Sequence, residues 1–170
     1  TDTVLIQNGP TADAGPDITV CSGFPVQLGA PQIGGQTYLW APAGNLNDPT
    51  LAEPSFQHTN TSATPDTFNF TLAATQGFCT ALDYVTVIVM PTPVVTTNGN
   101  QQICLGGSAT LTASGGTNYS WSTQETTASI TVSPAVTTTY TVTTTENGCT
   151  SLPVSVTVEV TSGPSAVVSG

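Results

Sequence analysis

This chain of 170 residues has no lysine, no arginine, one histidine and one methionine, against ten acidic residues. The missing cations exclude a lysine Schiff base, a lysine isopeptide crosslink, an arginine clamp for phosphate or carboxylate, and a basic patch for nucleic acid. A formal net charge of −10 would be repelled by polyanions and anionic membrane surfaces. No apolar run approaches the ~18 residues of a spanning helix, so no membrane insertion is expected. Charged side chains make up only 6% of the chain, and its polarity comes instead from 34 Thr and 14 Ser. Thr and Val favour strands because branched β-carbons fit a pleated surface. With 13 Pro and 16 Gly as punctuation, the class is all-β, and the length suits one large sandwich or two small ones.

The four cysteines are Cys21, Cys79, Cys104 and Cys149. None forms a C-x-x-C pair, and one histidine argues against a zinc or iron–sulfur site. Their even number points to disulfides and an oxidising compartment.

The sequence contains one unit written twice. The first copy holds Cys21, Tyr38-Leu39-Trp40, Phe68-Asn69-Phe70, Cys79-Thr80-Ala81-Leu82 and Val85–Val89. The second holds Cys104, Tyr119-Ser120-Trp121, Tyr140, Cys149-Thr150-Ser151-Leu152 and Val154–Val158. An aromatic residue precedes the second cysteine by nine positions in both, Phe70 to Cys79 and Tyr140 to Cys149. The first copy is longer mainly by an insertion within Ala41–Pro54.

Alternation and turn residues predict six strands per copy. They are 18–20, 26–28, 37–40, 55–58, 67–73 and 84–90, then 101–103, 109–113, 119–122, 129–132, 138–144 and 154–160. This predicts two tandem immunoglobulin-like β-sandwich domains. The expected boundaries are 1–11 for an N-terminal strand or linker, 12–91 for domain 1, 92–96 for a linker, 97–161 for domain 2 and 162–170 for a tail. If the chain reverses at each of six strands, the first turn and the last hairpin share an end of the sandwich. Cys21–Cys79 and Cys104–Cys149 are then the expected disulfides, each contributing about 4 kcal/mol by loop closure. Strand parity puts Trp40 and Tyr38, and Trp121 and Tyr119, on one face of their strands. The expected cores add Val26, Leu28, Phe68, Phe70, Leu72, Val85 and Val87, and then Leu111, Ile130, Val132, Tyr140, Val142, Val156 and Val158.

Several segments carry a resemblance. They are Ala12-Asp13-Ala14-Gly15-Pro16-Asp17-Ile18-Thr19-Val20-Cys21, Val26-Gln27-Leu28-Gly29-Ala30, Tyr38-Leu39-Trp40-Ala41-Pro42, Leu46-Asn47-Asp48-Pro49-Thr50 and Gly77-Phe78-Cys79-Thr80-Ala81. Over Ala12 to Val160 the chain resembles the PKD-like and Ig-like modules strung in tandem in large secreted surface proteins of Bacteroidetes. The Trp-x-Phe-Gly-Asp-Gly run of PKD modules is absent. The resemblance implies an extracellular, non-enzymatic module that serves as spacer, adhesin or filament building block.

No Gly-x-Ser-x-Gly elbow accompanies His58 and Asp66, so no active site is assigned. No cofactor is expected. Asp13, Asp17 and Asp48 are weak calcium candidates because carboxylate oxygens suit that ion. Thr3, in Asp2-Thr3-Val4, fits the O-glycosylation pattern of the group resembled. Asn60, Asn69 and Asn118 each begin an Asn-x-Ser/Thr triplet. The run Thr3, Val4, Leu5, Ile6 and Gln7 is strand-like, lies before the first module and is a candidate for strand exchange with a neighbour. The reading is an extracellular structural protein of a cell-surface fibre or adhesin, polymerising head to tail by strand addition. Its expected partners are its own copies, with glycans or other cells as further ones. The competing reading is a carbohydrate-binding or spacer module pair attached to a secreted enzyme or adhesin.

Overall fold

The structure, a computed structural model, describes residues 9–162. The chain divides into two compact units, Thr1–Pro91 and Thr92–Gly170. Among the described residues there are strands and turns and no helix, so none is long and apolar enough to cross a membrane.

Module 1 contains β1 (Ile18–Cys21), β2 (Val26–Gln27), β3 (Thr37–Ala41), β4 (Ser55–Phe56), β5 (Asp66–Gln76) and β6 (Cys79–Met90). Its main sheet has the order β1-β6-β5-β3, and β2 pairs with β4 in a second, smaller sheet. Module 2 contains β7 (Thr96–Thr97), β8 (Gln101–Cys104), β9 (Ala109–Ser114), β10 (Asn118–Trp121), β11 (Ser129–Val132), β12 (Thr138–Glu146), β13 (Cys149–Thr150) and β14 (Val154–Thr161). Here the sheets are β10-β12-β14-β8, with β13 attached to β12, and β11-β9-β7. A three-strand and a four-strand layer over one apolar core, with a buried Trp on the third main strand, is the immunoglobulin-like sandwich.

All twelve expected strands exist, and two were not foreseen. β13 is a two-residue continuation of the last hairpin. β7 begins on Thr96, the last residue of the expected linker 92–96, and Val95 within that linker is buried in the core of module 2. That Pro-containing stretch is therefore the first edge of the module. Hydroxyl-rich Thr96 and Thr97 pair with Ser114 and Ala113 while Val95 supplies the burial.

Period-two alternation produces the cores. On β5, Phe70, Leu72 and Ala74 point inward, and their neighbours face outward. On β12, Tyr140, Val142 and Thr144 do the same. Every expected core residue belongs to its module's cluster, with Val26, Tyr38, Phe68 and Tyr119 at the margin. Ala14, Phe56 and Val89 add to the first core, and Val95, Ala109 and Ala113 to the second. Phe56 anchors the first, its ring 5.1 Å from Phe68 and 5.5 Å from Phe70 in tilted and edge contacts.

The duplication extends to individual hydrogen bonds. Trp40 donates its backbone N–H to Pro49 O and its indole N–H to Leu51 O. Trp121 donates likewise to Glu125 O and Thr127 O. In each copy the two acceptors are two residues apart, so the inserted residues bulge out without disturbing the indole's anchor. Both Trp side chains are buried, at 1% and 3% exposure.

The first and last strands of each module's main sheet are parallel. Ile18–Cys21 align with Val87–Met90, and Gln101–Cys104 align with Val158–Thr161. Five reversals would have made them antiparallel, so at least one connection does not reverse the chain. In module 2, β10 and β14 both run antiparallel to β12, which β10–β11 and β11–β12 reversals alone would not give. This one departure reorganises the cysteines.

Candidate functional site: the two poles of each module

Cys21 lies opposite Met90, where β6 ends, and Cys79 begins β6 opposite Gln76. Eleven residues of strand separate these levels, which at about 3.4 Å each is roughly 35 Å. In module 2, Cys104 lies opposite Thr161 at the end of β14, while Cys149 pairs with Glu146 beyond the start of β14. A disulfide requires Cα atoms within about 7 Å. The expected pairs Cys21–Cys79 and Cys104–Cys149 are therefore not formed. Cys79 and Cys104 are free and exposed, whereas Cys21 and Cys149 are disulfide-bonded. Parity assumed a last strand antiparallel to the first, and the parallel pairing sends the two cysteines to opposite poles.

Each pole has its own construction. At the first-cysteine pole, the residue after the cysteine donates its N–H to the end of the last strand, Ser22 to Met90 O and Leu105 to Thr161 O. At the second-cysteine pole, a two-residue hairpin loop precedes the cysteine, Gly77-Phe78 in one module and Asn147-Gly148 in the other. Asn147 and Gly148 both have positive φ, 49° and 81°, as a tight hairpin turn demands. Across the strands behind the hairpins, Thr75 and Thr80 hydroxyls are 3.0 Å apart, as are those of Thr145 and Thr150. Large apolar side chains stand exposed next to both free thiols, Phe78 beside Cys79 and Leu105 beside Cys104.

The structure gives the calcium candidates local backbone partners. Asp13 accepts the Gly15 N–H at 3.0 Å. Asp17 accepts the Thr86 N–H at 2.8 Å, and in the second copy Asn100 accepts the Thr157 N–H at 2.9 Å. A neutral amide at the matching position shows that this bond needs an acceptor and no charge. Asp48 accepts from the Thr50 hydroxyl at 2.7 Å and the Thr50 N–H at 2.8 Å, and these two bonds, the hydroxyl first, hold its carboxyl below the ordinary aspartate value. Among the described residues no three His, Cys, Asp or Glu gather as a metal site.

His58 does meet Asp66, Nε2 to Oδ2 at 2.9 Å, with its ring against Phe68. Sequence proximity hid the reason: β4 ends just before His58 and β5 opens on Asp66, so the loop between them folds back. Asn60 fills that loop. It is buried, and its amide donates to Thr64 O and Val89 O while its carbonyl accepts from Ser62. An amide so engaged is unfit as a glycan acceptor, whereas Asn69 and Asn118 are exposed on their strands. Thr3, Val4, Leu5, Ile6 and Gln7 lie outside the described residues, so neither strand exchange nor O-glycosylation is located there.

No protein-family model matches the chain, and no curated protein matches it. Among solved structures it is similar to the I-band fragment I67–I69 from titin, at 11% identity and TM-score 0.48, covering 91% of this chain and 66% of that one. It is also similar to Sidekick-1 immunoglobulin domains 1–5, at 12% identity and TM-score 0.47, covering 93% of this chain and 40% of that one. The four N-terminal Ig domains of Dscam1 give 9% identity and TM-score 0.37, over 91% and 45%. The chain thus spans about two thirds of the first of these and less than half of the others. All three are tandem Ig-domain chains, but at these scores the likeness adds nothing to the strand order. The strand order defines this protein's class: two tandem immunoglobulin-like β-sandwich modules.

Proposed function

We propose that the chain is an extracellular structural protein, a subunit or repeat of a cell-surface fibre or adhesin whose copies join head to tail by β-strand addition. The observation that carries this reading is the polarity of each module. In module 2 the chain comes in along β7, level with the far end of β9, and leaves β14 beside Cys104 at the opposite pole. In module 1 it comes in at Ala14, hydrogen-bonded to Asp83, and leaves at Met90 beside Cys21. Such a module passes the chain from pole to pole, the requirement for an end-to-end array, and a heterologous contact of this type propagates.

The sheet edges support strand addition. β3 and β10 are outer strands of their sheets and contain no charged residue. Edge strands normally discourage pairing with lysine, and this chain has none. Thr3–Gln7 is the proposed donor. The disulfide-bonded state of Cys21 and Cys149 fits an oxidising, extracellular setting.

Negative-stain microscopy of the full chain tests the proposal. Fibres are expected, and deleting Thr3–Gln7 should abolish them while leaving the circular dichroism of both modules unchanged. A full-length chain that stays monomeric up to millimolar concentration, or fibres that survive the deletion, would overturn it.

A further inference from the structure

We infer that Cys79 and Cys104 are a covalent coupling pair, joining the first-module pole of one copy of this chain to the second-module pole of the next. The inference deepens the fibre reading above and rests on it for the identity of the partner, a second copy.

The cysteines fall into two classes by position. Cys21 and Cys104 end the strand that runs parallel to the last strand, and Cys79 and Cys149 follow the final hairpin. Within a module the classes stand at opposite poles, roughly 35 Å apart, so no module can oxidise its own pair. One residue of each class, Cys21 and Cys149, is disulfide-bonded. One residue of each class, Cys104 and Cys79, is left as an exposed thiol. The leftover pair therefore combines one thiol of each pole, and this combination, together with the exposed apolar residue beside each thiol, carries the inference.

The surroundings point the same way. Phe78 is fully exposed at its hairpin tip beside Cys79, and Leu105 is 65% exposed beside Cys104. A large apolar residue stands in solvent immediately next to each free thiol, where burying it in a contact with another copy would be favourable. The local charge offers no barrier, since Gln76-Gly77-Phe78-Cys79-Thr80 and Ile103-Cys104-Leu105-Gly106-Gly107 contain no acidic residue.

The bond forms by thiol–disulfide exchange with a disulfide oxidant. The Cys104 thiolate attacks one oxidant sulfur, forming a mixed disulfide and expelling the other sulfur as a thiolate. The Cys79 thiolate of the next copy attacks the Cys104 sulfur and expels the second oxidant thiolate. Two protein thiols lose two electrons and two protons, and the oxidant's sulfur–sulfur bond becomes two thiols.

The test oxidises the purified full chain with oxidised glutathione and resolves it without reductant. A ladder rising in steps of one chain is expected, and dithiothreitol should collapse it. Because there are no tryptic sites, chymotryptic and Glu-specific digestion locates the link, expected as Cys79–Cys104. Neither Cys79→Ser nor Cys104→Ser should extend beyond a dimer. Mixed in equal amounts, the two variants should give the heterodimer at least tenfold over either homodimer. Phe78→Ser and Leu105→Ser, both at exposed positions, should each slow the ladder several-fold with native circular dichroism. Homodimers forming as readily as the heterodimer would overturn the inference, as would a monomer lacking free thiols or an unreactive wild type. Microscopy of the same samples separates the two proposals. Fibres whose Cys79 and Cys104 remain thiols sink the coupling and leave the fibre standing. A Cys79–Cys104 ladder without regular fibres sinks strand addition and leaves the coupling.

Discussion

Leu111→Ala provides a quantitative check on two separately cored modules. Leu111 lies in the middle of β9, opposite Ile130 on β11, and is fully buried in the cluster that includes Trp121, Tyr140 and Val156. Truncating a leucine in such a site removes its transfer energy and leaves a cavity, about 3 kcal/mol together. A module of this size has a total stability on the order of 4–10 kcal/mol. Each kcal/mol moves the midpoint of a small domain by about 4–8 °C, so the module 2 transition should fall by roughly 12–24 °C. Calorimetry of the full chain reads both transitions, and each module has one Trp to assign them. In a Trp40→Phe background the indole signal comes from Trp121 alone, and adding Leu111→Ala should lower its midpoint by the same roughly 12–24 °C whatever Trp40→Phe does to module 1. The module 1 midpoint should stay within about 2 °C, since Leu111 belongs to the second cluster alone. Two transitions that move down together would refute separate cores. A fall of less than about 5 °C would refute the burial of Leu111.

Two further outcomes follow from local geometry. Gly29 has φ +81°, and a β-carbon there would sit 2.1 Å from the Ala52 carbonyl oxygen and 3.0 Å from the Trp40 ring. Gly29→Ala should cost at least about 2 kcal/mol in a denaturant titration, against about 1 kcal/mol for Gly23→Ala, which has the same φ in open space. Equal costs would refute the close approach. Asp48 has its folded pKa lowered, so its contribution is complete above the ordinary aspartate value of 3.8 and is lost as pH falls through the lowered one. Carbon-detected NMR should show Asp48 titrating below 3.8 in the wild type and moving back up in Thr50→Val. An unmoved titration in that variant would refute the hydroxyl as the principal cause.

The duplication could be read because the same side chains recur at matched spacing, and the structure repeats them down to the two carbonyls that hold each indole. The cores were legible for an equally local reason. Alternation along β5, β6, β12 and β14 assigns each residue to a face without reference to any other strand. β7 was not legible, since Val94-Val95-Thr96-Thr97 lies among prolines and turn residues and gains strand structure only from pairing with β9. The meeting of His58 with Asp66 was visible only as proximity, because the loop that closes it is held by Asn60 reaching Val89.

The sequence by itself determined the class, the duplication, the inward faces and the exclusion of every function that needs a lysine or an arginine. Those follow from composition and from the period of a pleated strand, which are properties of neighbouring residues. The direction in which β1 meets β6, and β8 meets β14, was decided by tertiary structure alone. Strand direction depends on how many connections reverse the chain, and a loop's residues do not state whether it turns back or crosses to the other sheet. That single choice carried Cys21 and Cys79, and likewise Cys104 and Cys149, to opposite poles of their own modules. It turned the cysteines from staples within a module into a question about its neighbours.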